Sequence, residues 1–130
     1  LMYLGRELVL EDGTYPMADV LPVSFGFSKR PQGHGYTIIN ISRPNPYFEP
    51  GQIIKGHEFH YSTVQHCEAA EQELAFEMQR GTGLVQGRDG LIKNNVLATY
   101  THIHALGTPQ WAPALVEKAR QYRSRRPSPR

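Results

Sequence analysis

Cysteine is nearly missing from this chain: Cys67 is the only one among 130 residues. A lone thiol excludes an intramolecular disulfide and any cysteine-based zinc finger, and it suits a reducing compartment such as the cytoplasm. Long apolar runs are missing too. Nothing approaches the roughly 20 residues of a membrane helix, so no membrane partner is expected, and no signal-peptide pattern opens the chain. The chain begins abruptly with Leu1-Met2-Tyr3-Leu4-Gly5, without Met at position 1, and reads as the middle of something longer. Three catalytic signatures are also absent: the phosphate loop GxxxxGK[ST], the dinucleotide fingerprint GxGxxG and the zinc-peptidase motif HExxH. Gly81-Thr82-Gly83-Leu84-Val85-Gln86-Gly87-Arg88 misses the first two, so its glycines are read as positive-φ turn positions, with Asp89-Gly90 as a hairpin turn. His57-Glu58-Phe59-His60 misses the third, because its histidines are three apart rather than four.

Basic charge is scarce outside the C-terminus. The formal net charge is +2, but Arg123, Arg125, Arg126 and Arg130 all fall in the last eight residues, and without them it is −2. The basicity is a tail rather than a surface, which argues against nucleic acid as a partner. Residues 123–130 are expected to form a disordered basic tail, and residues 1–122 a single domain.

What the chain does have is a hydrophobic share of 39% with seven Tyr and five Phe, enough for one globular core. Leu1, Met2, Leu4 and Leu8 are spaced like one side of a short helix that the turn at Glu11-Asp12-Gly13 closes off. Strands are expected at Met17–Leu21, Tyr36–Ile41, Gln52–Val64 and Leu74–Met78 and in the run Val96–His104, with a loop at Gly33 and Gly35. Thr108 as N-cap and Pro109 at the first helical position introduce an amphipathic helix carrying Trp111, Leu115, Ala119 and Tyr122. About five strands with flanking helices make an α/β fold, less regular than a complete doubly wound domain.

Two histidine clusters carry the chemistry. On a strand, His57, Phe59 and Tyr61 share one face while Glu58, His60 and Ser62 share the other, so Glu58 and His60 lie side by side where a carboxylate can fix an imidazole tautomer. In Tyr100-Thr101-His102-Ile103-His104, strand alternation points Tyr100 and both histidines one way and Thr101 and Ile103 the other. They suit a general base with a neighbour, metal ligands, or polar residues capping the sheet. No acidic residue completes a metal set, so no metal is assigned. Cys67 lacks the small residues of a nucleophile elbow and is read as structural.

Several segments together resemble the glutaminase domain of the cobyrinic acid a,c-diamide synthase family. They run in family order: Leu1-Met2-Tyr3-Leu4-Gly5, Thr14-Tyr15-Pro16-Met17 with Val20-Leu21-Pro22, Gly35-Tyr36, Lys55-Gly56-His57-Glu58-Phe59-His60-Tyr61-Ser62, Gly87-Arg88-Asp89-Gly90-Leu91, Asn95-Val96-Leu97-Ala98, and Tyr100-Thr101-His102-Ile103-His104. The resemblance implies the C-terminal part of a class I, flavodoxin-like glutamine amidotransferase domain that starts just after a Cys-Gly-Gly elbow, with Leu1–Leu8 as the helix following it. It implies His102 as the general base, His104 and Glu58 as residues that orient or support it, and Phe59, His60 and Tyr61 beside the glutamine pocket. It further implies glutamine and a tetrapyrrole carboxylate as substrates. An N-terminal synthetase domain outside this chain would use ATP and magnesium, and no cofactor is assigned to the chain itself. Alone, the chain is then inactive. The alternative is a non-catalytic module in which His57, His60, His102 and His104 hold a metal or a tetrapyrrole.

Overall fold

The computed structural model describes residues 1–125. Nine strands and one long helix follow in chain order: β1 (Glu7–Leu10), β2 (Gly13–Pro16), β3 (Val23–Phe27), β4 (Gly33–Ile41), β5 (Ile53–His60), β6 (Ser62–Cys67), β7 (Leu74–Arg80), β8 (Arg88–Lys93), β9 (Val96–Ala98) and α1 (Trp111–Arg125). They form a four-stranded sheet, β2-β1-β3-β6, and a five-stranded sheet, β5-β4-β7-β8-β9. The ladders are antiparallel except for β1 against β3. The expected α/β class holds, with two sheets and a C-terminal helix.

Two apolar clusters hold these layers. One joins Val23 and Phe25 of the smaller sheet, and Leu21 just before it, to Leu74, Leu91, Ala98 and Tyr100. The other gathers Ile39, Ile41, Phe48, Ile54, Ala75 and Phe76, with Ile92, Leu97, Ile103 and Trp111 packed against it. Strand alternation divides β8 and β9 between them: Leu91 and Ala98 serve the first cluster, Ile92 and Leu97 the second. Phe25 and Phe76 are almost wholly buried, each contributing about 1.5–3 kcal/mol by the usual transfer scale.

Several expected elements differ. The opening segment is a single 3₁₀ turn, Met2–Leu4, followed by β1, not a helix through Leu8. Leu1, Met2, Leu4 and Leu8 all pack on the first cluster, so their spacing reports a shared core that a turn plus a strand also satisfies. Residues 17–21 are not a strand: their amides bond to carbonyls of Tyr3, Leu4, Gly5 and Arg6, and Asp19 has a φ of 49°. Gly33 and Gly35 lie inside β4, paired with His60 and Glu58. The expected strand Gln52–Val64 breaks at Tyr61 into β5 and β6, which belong to different sheets. Asp89-Gly90 lies within β8, not at a turn, although Gly81, Gly83, Gly87 and Gly90 all adopt positive φ as read.

Helix α1 starts at Trp111, two residues beyond Pro109, with Ala114 N–H bonding to the Gln110 carbonyl. The Thr108 hydroxyl is buried without a hydrogen-bond partner, so it does not cap the helix. Trp111 packs on the second cluster, but Leu115, Val116 and Tyr122 are 44%, 49% and 56% exposed, so the helix buries little of the apolar face its sequence displays. It runs through Arg125, three residues into the expected tail, and residues 126–130 lie outside the described residues. No helix among the described residues is long and apolar enough to cross a membrane.

Arg6 clasps the segment after β6 by donating to both Glu68 oxygens at 2.8 Å. These bonds, helped by His66, bring the Glu68 carboxyl down from 4.5 to about 2. The folded state therefore favours the ionised form, so the contribution is complete above pH 4.5 and is lost as pH falls toward about 2. Solvent screening keeps it small. We expect Glu68→Gln to flatten the acid limb of the stability profile across that window, measured by urea denaturation at stepped pH. An unchanged acid limb would contradict the assignment.

Candidate active site

The segment Lys55–Ser62 spans the point where the chain passes from the larger sheet to the smaller. Its alternation is as read. Glu58 and Ser62 are buried at 1% and 2% exposure, whereas Phe59 and Tyr61 are 50% and 40% exposed and His57 is exposed too. On the inner face, Glu58 accepts hydrogen bonds from the Thr82 and Gly83 amides at 2.9 and 2.8 Å. The loop that superficially suggested a phosphate site thus already holds an anion, one supplied by the chain itself. Glu58 and His60 do lie side by side: a Cβ on Gly33 would stand 2.9 Å from Glu58 Oε2 and 2.5 Å from His60 Nε2, which is why β4 carries glycine there.

The Glu58 carboxylate does not set the His60 tautomer. His60 Nδ1 lies 3.0 Å from the Ser62 carbonyl, and its ring stacks on Tyr100 at 3.7 Å between centroids. The Tyr100 hydroxyl pairs with Ser62 Oγ at 2.8 Å, and burial pushes the phenol above its ordinary range, so it stays protonated. These four residues form a polar seam between the sheets, and His60, Ser62 and Tyr100 line a cleft with Gln32, Thr82 and Val64.

His102 reaches the opposite surface by an unusual path. Strand β9 stops at Ala98, at one edge of the five-stranded sheet, and the next residues lead to β5 at the other edge, where His102 and His57 form a two-bond bridge of 2.7 and 3.0 Å. Asp89 secures the path. Its carboxylate, 0% exposed, accepts from the Thr99 hydroxyl at 2.6 Å and from the amides of Gly90, Tyr100 and Thr101. Burial pushes the Asp89 carboxyl above its usual range, and those hydrogen bonds offset only part of that rise. The exposed imidazole of His102 then sits beside that of His57 at 6.1 Å, with Nδ1 3.1 Å from the His57 carbonyl oxygen.

The other expected site residues are distributed as follows. His104 is exposed like His102, but its Nδ1 accepts from the Leu106 amide; Tyr100 turns inward instead of sharing their side. Phe59 packs edge-to-face with Tyr61 and with His34, on the same outer face as His57. His60 faces inward while His57 and His102 face outward, and among the described residues no three His, Cys, Asp or Glu side chains converge on a point that could hold a metal. Cys67 ends β6 and packs on the first cluster, in a cleft with Ala69, Glu71, Leu74, Val85, Gln86 and Arg88 that includes no candidate site residue.

Residues 1–110 match the CobB/CobQ-like glutamine amidotransferase domain. The chain belongs to this family. Among similar proteins are three named cobyrinate a,c-diamide synthase: from Methanosphaera stadtmanae, 40% identical over 85% of this chain and 24% of that protein; from Magnetococcus marinus, 36% over 96% and 26%; and from Archaeoglobus fulgidus, 36% over 92% and 26%. The chain therefore spans about a quarter of the length of the curated relatives it matches. Both histidine clusters fall inside the matched residues of this amidotransferase domain, while α1 begins just beyond them.

Sequence reasoning missed Asp89 as an organiser of the segment that leads to His102. The signal was present: Asp89 sits two residues before Leu91, on the same strand face as a core position, and a turn reading of Asp89-Gly90 hid it. Asp89→Asn places an amide NH₂ among hydrogen-bond donors. We expect it to cost on the order of 2–4 kcal/mol in chemical denaturation and to speed hydrogen exchange at the Tyr100 and Thr101 amides. Native-like protection at both amides would show that Asp89 does not hold the segment.

Proposed function

We propose that this chain supplies the histidine half of a Cys–His glutaminase site, within a longer protein that amidates carboxylates of a cobyrinic acid-type tetrapyrrole. The observation that carries the reading is the His102 imidazole. It is exposed, held at the edge of β5, and has Nδ1 occupied by a carbonyl, so Nε2 is left to accept a proton. Membership of the amidotransferase family and the names of the relatives support the same reading.

In the proposed reaction, His102 Nε2 takes the proton of a cysteine thiol and the thiolate attacks the side-chain amide carbon of glutamine. The C–N bond then breaks, and the imidazolium returns its proton to the leaving ammonia. Water hydrolyses the resulting thioester, and the ammonia passes to the acceptor carboxylate. The cysteine is proposed to precede Leu1 in a Cys-Gly-Gly elbow. In support, Leu1, Met2 and Leu4 pack on the cluster that contains Tyr100, two residues from His102. One 3₁₀ turn at Met2–Leu4 replaces the expected helix after the elbow, so a helix dipole contributes little to the thiolate here. Glu58 acts at a distance from the ring, by holding the Thr82–Gly83 loop, while Phe59 and Tyr61 present aromatic surface on the His102 side.

ATP activates the acceptor carboxylate in the proposed N-terminal synthetase domain, with magnesium. No residue of this chain is assigned to either, since the amides of its glycine-rich loop are occupied by Glu58. The chain alone is proposed to be inactive and the parent protein cytoplasmic. In the full-length protein, His102→Asn is expected to lower glutamine-dependent amidation by about 10²–10⁴-fold, the usual worth of a general base, while amidation with added ammonia persists. Loss of both activities would defeat the assignment, as would coding sequence upstream of Leu1 with no cysteine elbow.

A further inference from the structure

We infer that the third member of this site is main chain: the carbonyl of His57 holds His102 in its working tautomer, and the missing side chain at Gly56 lets it do so. The inference rests on the reading of His102 as general base and deepens it. In triads of this kind a carboxylate usually orients the imidazole, and this chain buries two carboxylates near its histidine clusters. Both are otherwise engaged: Glu58 by the Thr82 and Gly83 amides, Asp89 by Thr99, Gly90, Tyr100 and Thr101. His104, the other candidate for support, has its Nδ1 on the Leu106 amide.

What does meet the His102 ring is the His57 carbonyl oxygen. It accepts twice from one residue, from the His102 amide at 2.7 Å and from His102 Nδ1 at 3.1 Å. A carbonyl oxygen only accepts, so the Nδ1 facing it carries the proton, and a neutral imidazole protonated there has its lone pair on Nε2. Because the ring and the backbone of His102 grip the same oxygen, the side-chain torsion is tied to the strand register. The reciprocal bond, His57 N–H to the His102 carbonyl at 3.0 Å, completes the clip.

Gly56 is the spacer. A Cβ there would stand 2.5 Å from Thr101 Cγ2 and 2.6 Å from the His102 carbonyl oxygen. Carbon and backbone oxygen do not pack that closely, so any side chain would lift residues 101–102 off β5 and lengthen both bridge bonds. Gly56 and the His57 carbonyl are positioning groups; neither touches substrate in this scheme.

The decisive measurement is the tautomer of His102 in the full-length, deuterated enzyme labelled with ring-¹⁵N histidine, read at alkaline pH by long-range ¹H–¹⁵N correlation, with His102→Asn identifying the signal. Protonated Nδ1 is expected; protonated Nε2, or an even mixture, would overturn the inference whether or not any variant folds. Gly56→Ala provides the functional test. With near-native circular dichroism, glutamine hydrolysis is expected to lose about 10-fold or more in kcat, below the roughly 10⁴-fold cost of an outright wrong tautomer. KM for glutamine should stay within about twofold, as for a group acting only on the chemical step, and the His102 signal should move toward a tautomer mixture. A folded Gly56→Ala enzyme with unchanged kcat and tautomer would refute the spacer role. If instead His102→Asn retains full glutaminase activity while wild-type His102 shows protonated Nδ1, the base assignment fails and the hydrogen-bond geometry stands.

Discussion

Taking a carboxylate out of water is costly unless donors meet its oxygens, and at Asp89 nearly every donor comes from the segment that must reach the site. Thr99 supplies a hydroxyl and Tyr100 and Thr101 supply amides, while Gly90 closes the set from β8 itself. The interaction therefore works in both directions: the segment satisfies the buried charge, and the charge draws the chain off β9 along one path. Tyr100 is thereby set between the sheets, against His60 and Ser62, and His102 arrives on the outer edge of β5.

Glu58 repeats the arrangement on a smaller scale. Its side chain is buried and its oxygens take two loop amides, so the glycine-rich turn after β7 is shaped around an internal anion. Both buried carboxylates thus serve the main chain, which leaves orientation of the site histidines to carbonyl oxygens: Ser62 for His60 and His57 for His102. A carbonyl fixes a tautomer as well as a carboxylate does, but it carries no full charge with which to stabilise an imidazolium. A base held this way relies on geometry more than on field.

The parts of the fold legible in sequence were those governed by nearest neighbours. Alternation assigned Glu58, His60 and Ser62 to one side of a strand and His57, Phe59 and Tyr61 to the other, and the structure keeps that division. The strands at Tyr36–Ile41 and Leu74–Met78 lie within β4 and β7 for the same reason. Reading failed where one pattern serves two geometries. Leu1, Met2, Leu4 and Leu8 meet a common core from a turn and a strand, and α1 shows an amphipathic pattern that it scarcely buries. Gly33 marks no loop; it makes room for His60 and Glu58 across a ladder, a demand set by a strand distant in sequence.

By itself, then, the sequence determined the α/β class, the facing of the cluster from His57 to Ser62 and, through ordered motifs, the amidotransferase family. It did so because strand period and motif order are properties of consecutive residues. Only the tertiary structure decided what each polar group touches: that Asp89 is a buried hub, that Glu58 belongs to a loop, and that His102 takes its partner from the backbone of His57. Those pairings cross from one element to another, from 10 positions for Thr99 and Asp89 to 45 for His57 and His102, through sheet order and the small gaps left by glycines, and no local pattern encodes them.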